Sequence, residues 1–136
     1  LNSFIKNRIY NKNLIINLLK KDKRWNNQFN FVKIDKQISP SYMVFPILIN
    51  QKYKSKKKKF ISLIEKNGIE TRPIISGSFV NQPASKLFKL NLKNNIFPGA
   101  QKIQDLGFVI GLHTKKIEKK IALKIVDQLF LIDKIN

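Results

Sequence analysis

From about Ser3 to Lys21 the apolar positions Ile5, Ile9, Leu14, Ile15, Leu18 and Leu19 recur at roughly helical spacing, which predicts an amphipathic helix ending near Asp22. Phe29 to Ile34 alternates in part through Phe31, Val32 and Ile34 and reads as a short strand. After a turn at Ser39-Pro40-Ser41, the apolar run Tyr42 to Ile49 predicts a second strand, whose Pro46 suggests an edge or a bulge. Ser55 is placed to cap the next helix, with Phe60, Ile61, Leu63 and Ile64 on one face and Asn67-Gly68 as its stop. A strand-like piece, Ile69 to Ile75, is broken by Pro73. Pro98-Gly99 then opens a short helix over Ala100 to Leu106, closed by Gly107, and Phe108 to Leu112 forms a brief strand. Thr114 stands as the N-cap of a last helix carrying Ile117, Ile121, Ile125, Leu129 and Ile132.

These pieces predict an α+β domain, a small antiparallel sheet with helices packed on one face. The first 22 residues form a connecting helix and residues 23–136 the α+β body. With 136 residues there is room for one domain with a modest core. No internal repeat occurs, and the one low-complexity patch is the lysine run Lys56 to Lys59.

Composition narrows the chemistry. No cysteine is present, which excludes disulfides, thiol catalysis and Cys-ligated metals within this chain, and the single histidine, His113, excludes a multi-histidine site. No run of 18 or more apolar residues is present, so no helical membrane span is expected. The formal charge of +19 invites a nucleic-acid reading. Its lysines are nevertheless spread along the chain, and only Arg8, Arg24 and Arg72 are arginine. The joint abundance of lysine, asparagine and isoleucine is what AT-rich coding DNA produces, so nucleic acid is an unlikely partner. The charge alone supports an alternative, a stand-alone basic module for RNA or an anionic surface. Leu1 is not an initiator methionine and Met43 is the sole methionine, which suggests a piece of a longer polypeptide.

The densest chemistry lies in Gly68-Ile69-Glu70-Thr71-Arg72-Pro73, continuing through Gly77-Ser78-Phe79 to Gln82-Pro83. A guanidinium just before Pro73 is a candidate for bidentate anion binding, which lysine cannot offer; the plainer reading is that Arg72 braces a loop. This order, with Asn67 before it, resembles the C-terminal domain of the DegT/DnrJ/EryC1/StrS family of pyridoxal-phosphate-dependent enzymes of nucleotide-sugar metabolism. The later run Ala100 to His113 is similar to the branch of 4-keto-6-deoxy-sugar 3-dehydratases and their lipopolysaccharide-pathway relatives. It departs from that pattern at Val109, where an aromatic residue is usual, and at Leu112, where asparagine is usual. The resemblance runs from about Arg8 onward.

What the resemblance implies is a fold-type-I C-terminal domain, a pyridoxal or pyridoxamine phosphate cofactor held mainly by a larger N-terminal domain, and a cytoplasmic homodimer. It also implies a nucleotide-sugar substrate and a reaction of 3-dehydration or transamination. The family's cofactor-bearing lysine, or the histidine that replaces it in the dehydratase branch, matches no residue of this chain, so no catalytic residue is assigned. Substrate-binding positions implied by the motifs are Arg72, Ser78, Phe79, Gln82 and His113. Ser78 stands where the branch often has asparagine, which leaves its amide contact open. A lone histidine closing an apolar strand is more often a satisfied structural residue, and that alternative stays open for His113. Lys86, Lys89 and Lys93 could attract a diphosphate, though exposed lysines do so nonspecifically.

Overall fold

The computed structural model describes residues 1–35, 37–75, 77–88 and 97–135. Helix α1 (Asn2–Lys21) leads to strand β1 (Phe29–Phe31) and strand β2 (Val44–Ile49). A 3-10 turn, Gln51–Lys56, runs into α2 (Lys57–Lys66), followed by β3 (Thr71–Arg72). Helix α3 (Pro98–Leu106) abuts β4 (Gly107–Gly111), and α4 (Lys119–Leu129) ends in a 3-10 segment, Phe130–Lys134. The strands form one antiparallel sheet in the order β1-β2-β4-β3. The α+β class and the small antiparallel sheet are as predicted.

Strict alternation in β2 gives the sheet an apolar face: Phe45, Ile47 and Ile49 are buried, while the residues between them are half-buried. That face joins one core with Ile15 and Leu19 of α1, Phe60 and Ile64 of α2, Leu106 of α3, and Ala122, Val126 and Leu129 of α4. Phe60 sits between Phe29, 6.0 Å away, and Phe108, 5.9 Å away and edge-on, which ties α2 to β1 at the sheet edge and to the internal β4.

Pro46 marks neither a bulge nor an edge strand, since β2 is internal. The Asn50 amide donates to the Gln28 carbonyl; in an antiparallel ladder, Asn50, Leu48 and Pro46 therefore face β1. The next ladder position would oppose Pro46 to Val32, and proline has no N–H to give. Pairing stops at Phe31↔Ile47, so β1 ends three residues before the predicted Ile34.

Two predicted caps are not made. Ser55 does not cap α2, because the 3-10 turn before it continues into the helix and the Lys57 amide donates to the Lys54 carbonyl. Asn50 caps that turn instead, accepting from the Lys52 amide. Thr114 does not cap α4, which starts five residues later with Glu118 at the cap position. The intervening segment is held by α1. Asn11, only 1 % exposed, donates to the carbonyls of His113 (3.0 Å) and Lys115 (2.9 Å) and accepts from the Ile117 amide (3.0 Å), and Asn7 donates to the Thr114 carbonyl. Along α4 a strict spacing of four drifts off the buried stripe, so Ile121 is exposed and the core takes Ala122 and Val126.

Asn11→Ala removes all three of these bonds from a buried site. It is expected to cost about 3 kcal/mol by urea unfolding, whereas exposed Asn13→Ala stays within about 0.5 kcal/mol of the parent. Equal, small losses for both would show that Asn11 does not hold the approach to α4.

Candidate functional site

Gly68, at φ +90°, ends α2 and turns the chain toward the sheet edge. Only Thr71 and Arg72 then pair, opposite Ile110 and Val109 of β4, because Pro73 cannot extend the ladder. Thr71 is buried and donates its hydroxyl hydrogen bond to Glu65. The Arg72 guanidinium projects largely into solvent, with Nη2 2.5 Å from Glu70 Oε1 and Nη1 donating to the Thr71 carbonyl. This is the brace expected of a loop arginine, and an exposed ion pair of that kind contributes about 0–1 kcal/mol.

Beyond Pro73 the chain packs against the start of β4. Gly107 has no side chain to obstruct it: a Cβ there would lie 2.5 Å from the Ile103 carbonyl oxygen and 2.6 Å from Ile74 Cδ1. At Gly77, φ is +70° and a Cβ would come within 3.0 Å of Gln104 Oε1. Gln104 Oε1 accepts the Ser78 amide at 2.9 Å and Asn81 Nδ2 at 3.2 Å, while Asn81 also donates to Gln101 at 2.7 Å. The Gln104 backbone carbonyl accepts Lys57 Nζ at 2.9 Å. Gln104 thus binds the loop on one side and α2 on the other.

Two cavities flank Pro73. One, of about 310 Å³, is lined by Pro73, Ile74, Ile75, Gly77, Gln82 and Gln104. The other, of about 360 Å³, is lined by Lys57, Ile61 and Glu65 of α2, Thr71 to Pro73, and Gly107 and Phe108. Lys57, Ile61 and Glu65 are four residues apart and so form one stripe of the helix. Burial pushes the Lys57 ammonium below its ordinary value, against the opposing pull of Asp105. The Asp105 carboxyl is held below its own ordinary value chiefly by the Lys54 hydrogen bond, at 2.7 Å.

Of the residues singled out from sequence, Arg72 and Gln82 line these cavities. Ser78 is wholly buried and its hydroxyl has no partner among the described residues. Phe79 is half-exposed and packs 5.8 Å from Phe88. His113 is not brought to this group. It lies beyond the opposite end of β4, exposed, with Nδ1 accepting the Lys115 amide at 3.0 Å. Lys86 is exposed, and Ser76, Lys89 and Lys93 lie outside the described residues. Two residues that build the site, Gln104 and Lys57, escaped the sequence reading. Lys57 was readable, since it stands three and four residues before Phe60 and Ile61 and so shares their face.

Gly77→Ala is expected to lower stability by about 1–3 kcal/mol, through both its positive φ and the contact with Gln104. Gly99→Ala, in helix α3 with nothing near its Cβ, should be neutral or slightly stabilising. Thermal melts of the two variants side by side decide it; equal behaviour would mean that the loop is not seated on Gln104.

No family model matches this chain, and the curated proteins hold no significant match. Solved structures do match. The E. coli GDP-4-keto-6-deoxy-D-mannose-3-dehydratase with bound hydrated PLP shares 20 % identity at a TM-score of 0.70, over 96 % of this chain and 31 % of that one. A doubly substituted ColD shares 21 % at 0.74, over 94 % of this chain and 32 % of that one. PseC of Helicobacter pylori, an aminotransferase involved in the biosynthesis of pseudoaminic acid, shares 15 % at 0.69, over 96 % and 33 %. The chain therefore spans about a third of the length of these proteins. Its fold is the α+β fold of the C-terminal domain of fold-type-I pyridoxal-phosphate enzymes.

Proposed function

We propose that this chain is the C-terminal part of a cytoplasmic, homodimeric, pyridoxal-phosphate-dependent enzyme that acts on a nucleotide-linked 4-keto-6-deoxy sugar. The reaction is 3-dehydration or transamination, in the making of lipopolysaccharide or O-antigen sugars. Residues 1–22 serve as the connecting helix and the remainder as the small domain. The observation that carries this reading is the fold match at a TM-score of 0.74 over 94 % of the chain. The Arg72-to-Gln82 segment, whose motif resembles the family's, supports it by forming a held wall with a cavity on either side of Pro73. In this reading Arg72, Phe79 and Gln82 face the sugar nucleotide, the buried Ser78 shapes the loop, and His113 orders its own turn through Nδ1.

The cofactor would supply the electron sink for either reaction. This chain's residues do not fit a complete cradle for it. In the cavity that holds Lys57, the lining carboxylate, Glu65, lies two helical turns away and accepts the Thr71 hydroxyl, and the nearer Asp105 is engaged by Lys54 and Gln101, so neither is placed to meet a ring nitrogen. No chemical step is assigned to these residues. The basic-module alternative is weakened by the fate of the lysine run. Lys56 donates to the Ile135 carbonyl and Lys57 to that of Gln104, so two of its four ammonium groups are engaged within the fold.

The test is the coding DNA immediately upstream of the Leu1 codon. An open frame about twice the length of this chain, as the one-third coverage of the neighbours suggests, should encode a pyridoxal-phosphate domain. Lysine at its cofactor position makes the enzyme an aminotransferase and histidine makes it a 3-dehydratase. A stop codon directly upstream contradicts the proposal.

A further inference from the structure

Lys57 differs from the exposed lysines of its run. It is half-buried, whereas Lys58, the next residue of α2, is exposed. Its hydrogen-bond partner is a neutral carbonyl, that of Gln104 at 2.9 Å, and it takes part in no ion pair among the described residues. The wall beside it is largely apolar: Ile61, one turn further along α2, Pro73, and Phe108 of β4 line the same cavity of about 360 Å³. An ammonium against such a wall loses water without gaining a paired counter-charge, so the uncharged amine is favoured there.

The charged groups around it do not reverse this. Asp105 of α3 pulls toward the ammonium, but its two carboxylate oxygens accept from Lys54 and Gln101. Glu65 lies eight residues further along α2, about 12 Å along the helix axis, and accepts the Thr71 hydroxyl. On β3, Arg72 alternates with Thr71 and turns its side chain away from α2. Burial prevails and moves the Lys57 ammonium below its ordinary value.

A desolvated lysine amine is a nucleophile, and the cavity gives it room to react. We propose that Lys57 is a selective acylation site of this chain, with the acyl phosphate of a short carboxylic acid as donor. A donor with an anionic leaving group is drawn to a chain of charge +19, and the cavity then decides which lysine reacts. The amine nitrogen attacks the donor's carbonyl carbon. The C–N bond forms, the C–O bond to phosphate breaks, and inorganic phosphate leaves with the proton that the nitrogen gives up. Nothing is oxidised or reduced. The product is a neutral amide, whose acyl carbons would lie against Ile61, Pro73 and Phe108. Its remaining N–H can still donate to the Gln104 carbonyl, without the help of a charge, so acylation weakens the tie between α2 and α3. The site does not depend on the function proposed above.

Limited labelling of the full chain with acetyl phosphate at neutral pH tests the site, read by tandem mass spectrometry after cleavage at acidic residues. Lys57 is expected to acquire acetyl about threefold faster than Lys58, or more, in the folded chain, and at the same rate as Lys58 in urea, where the cavity is gone. Equal rates in the folded chain, or faster labelling of Lys58, overturn the inference. A preference for Lys57 that persists in urea overturns it too, because it would come from local sequence and not from the fold. Ile61→Glu sets a carboxylate on the cavity wall one turn from Lys57 and should abolish the preference, whereas Ile61→Leu keeps the wall apolar and should keep it. A preference indifferent to a folded Ile61→Glu contradicts the role of the wall. Should that variant not fold, the comparison of Lys57 with Lys58 in the parent chain, folded and in urea, decides alone.

Discussion

The candidate site depends on one residue used at both ends. The Gln104 carbonyl receives Lys57 from α2, and its side-chain oxygen receives the Ser78 amide and the Asn81 amide group from the loop. Between them, the absent side chains of Gly77 and Gly107 let the loop close on α3 and Ile74 settle against the start of β4. The described residues from Gly77 to Gln82 are thereby given a defined position. The Ser78 amide is satisfied by a side chain, and the Gly77, Asn81 and Gln82 amides by turns within the loop rather than by a ladder.

β4 organises what lies around this clamp. It is buried from Gly107 to Ile110 and pairs on both sides. Its beginning carries α3, the loop and both cavities that adjoin Pro73; its end leads to the turn that Asn7 and Asn11 fasten to α1. The polar groups at the two ends do different work. At the first, donors and cations line open space, while at the second, Asn11 is consumed by backbone partners. Under the proposed function this wall would complete a site built elsewhere; the chain itself spans about a third of the length of its structural neighbours.

Much of the fold was legible in the sequence because it rests on periodicity. Helix α1 came within a residue of its observed start, the Asn67-Gly68 stop holds, and Gly107 closes α3 as expected. What escaped depends on contacts far along the chain. Thr114 reads as a cap until Asn11, about a hundred residues earlier, takes the neighbouring backbone. Phe29 to Ile34 reads as a longer strand until Pro46 arrives opposite Val32 without a donor. In the site, the motif drew the eye to Arg72 and Gln82, whereas Gln104 sits unmarked in a short helix and acquires meaning only when the loop lies across it. Lys57 was hidden in a lysine run that looks uniform in one dimension and is divided by helical phase in three.

Hydrogen exchange at the Ser78 amide tests most directly whether this wall is formed before any ligand arrives. If Gln104 holds the loop as described, that amide exchanges as slowly as the amides of α3, opening only with the domain. Exchange at the rate of an exposed loop would mean that the wall is not preformed, and the account of the site built on it would fail.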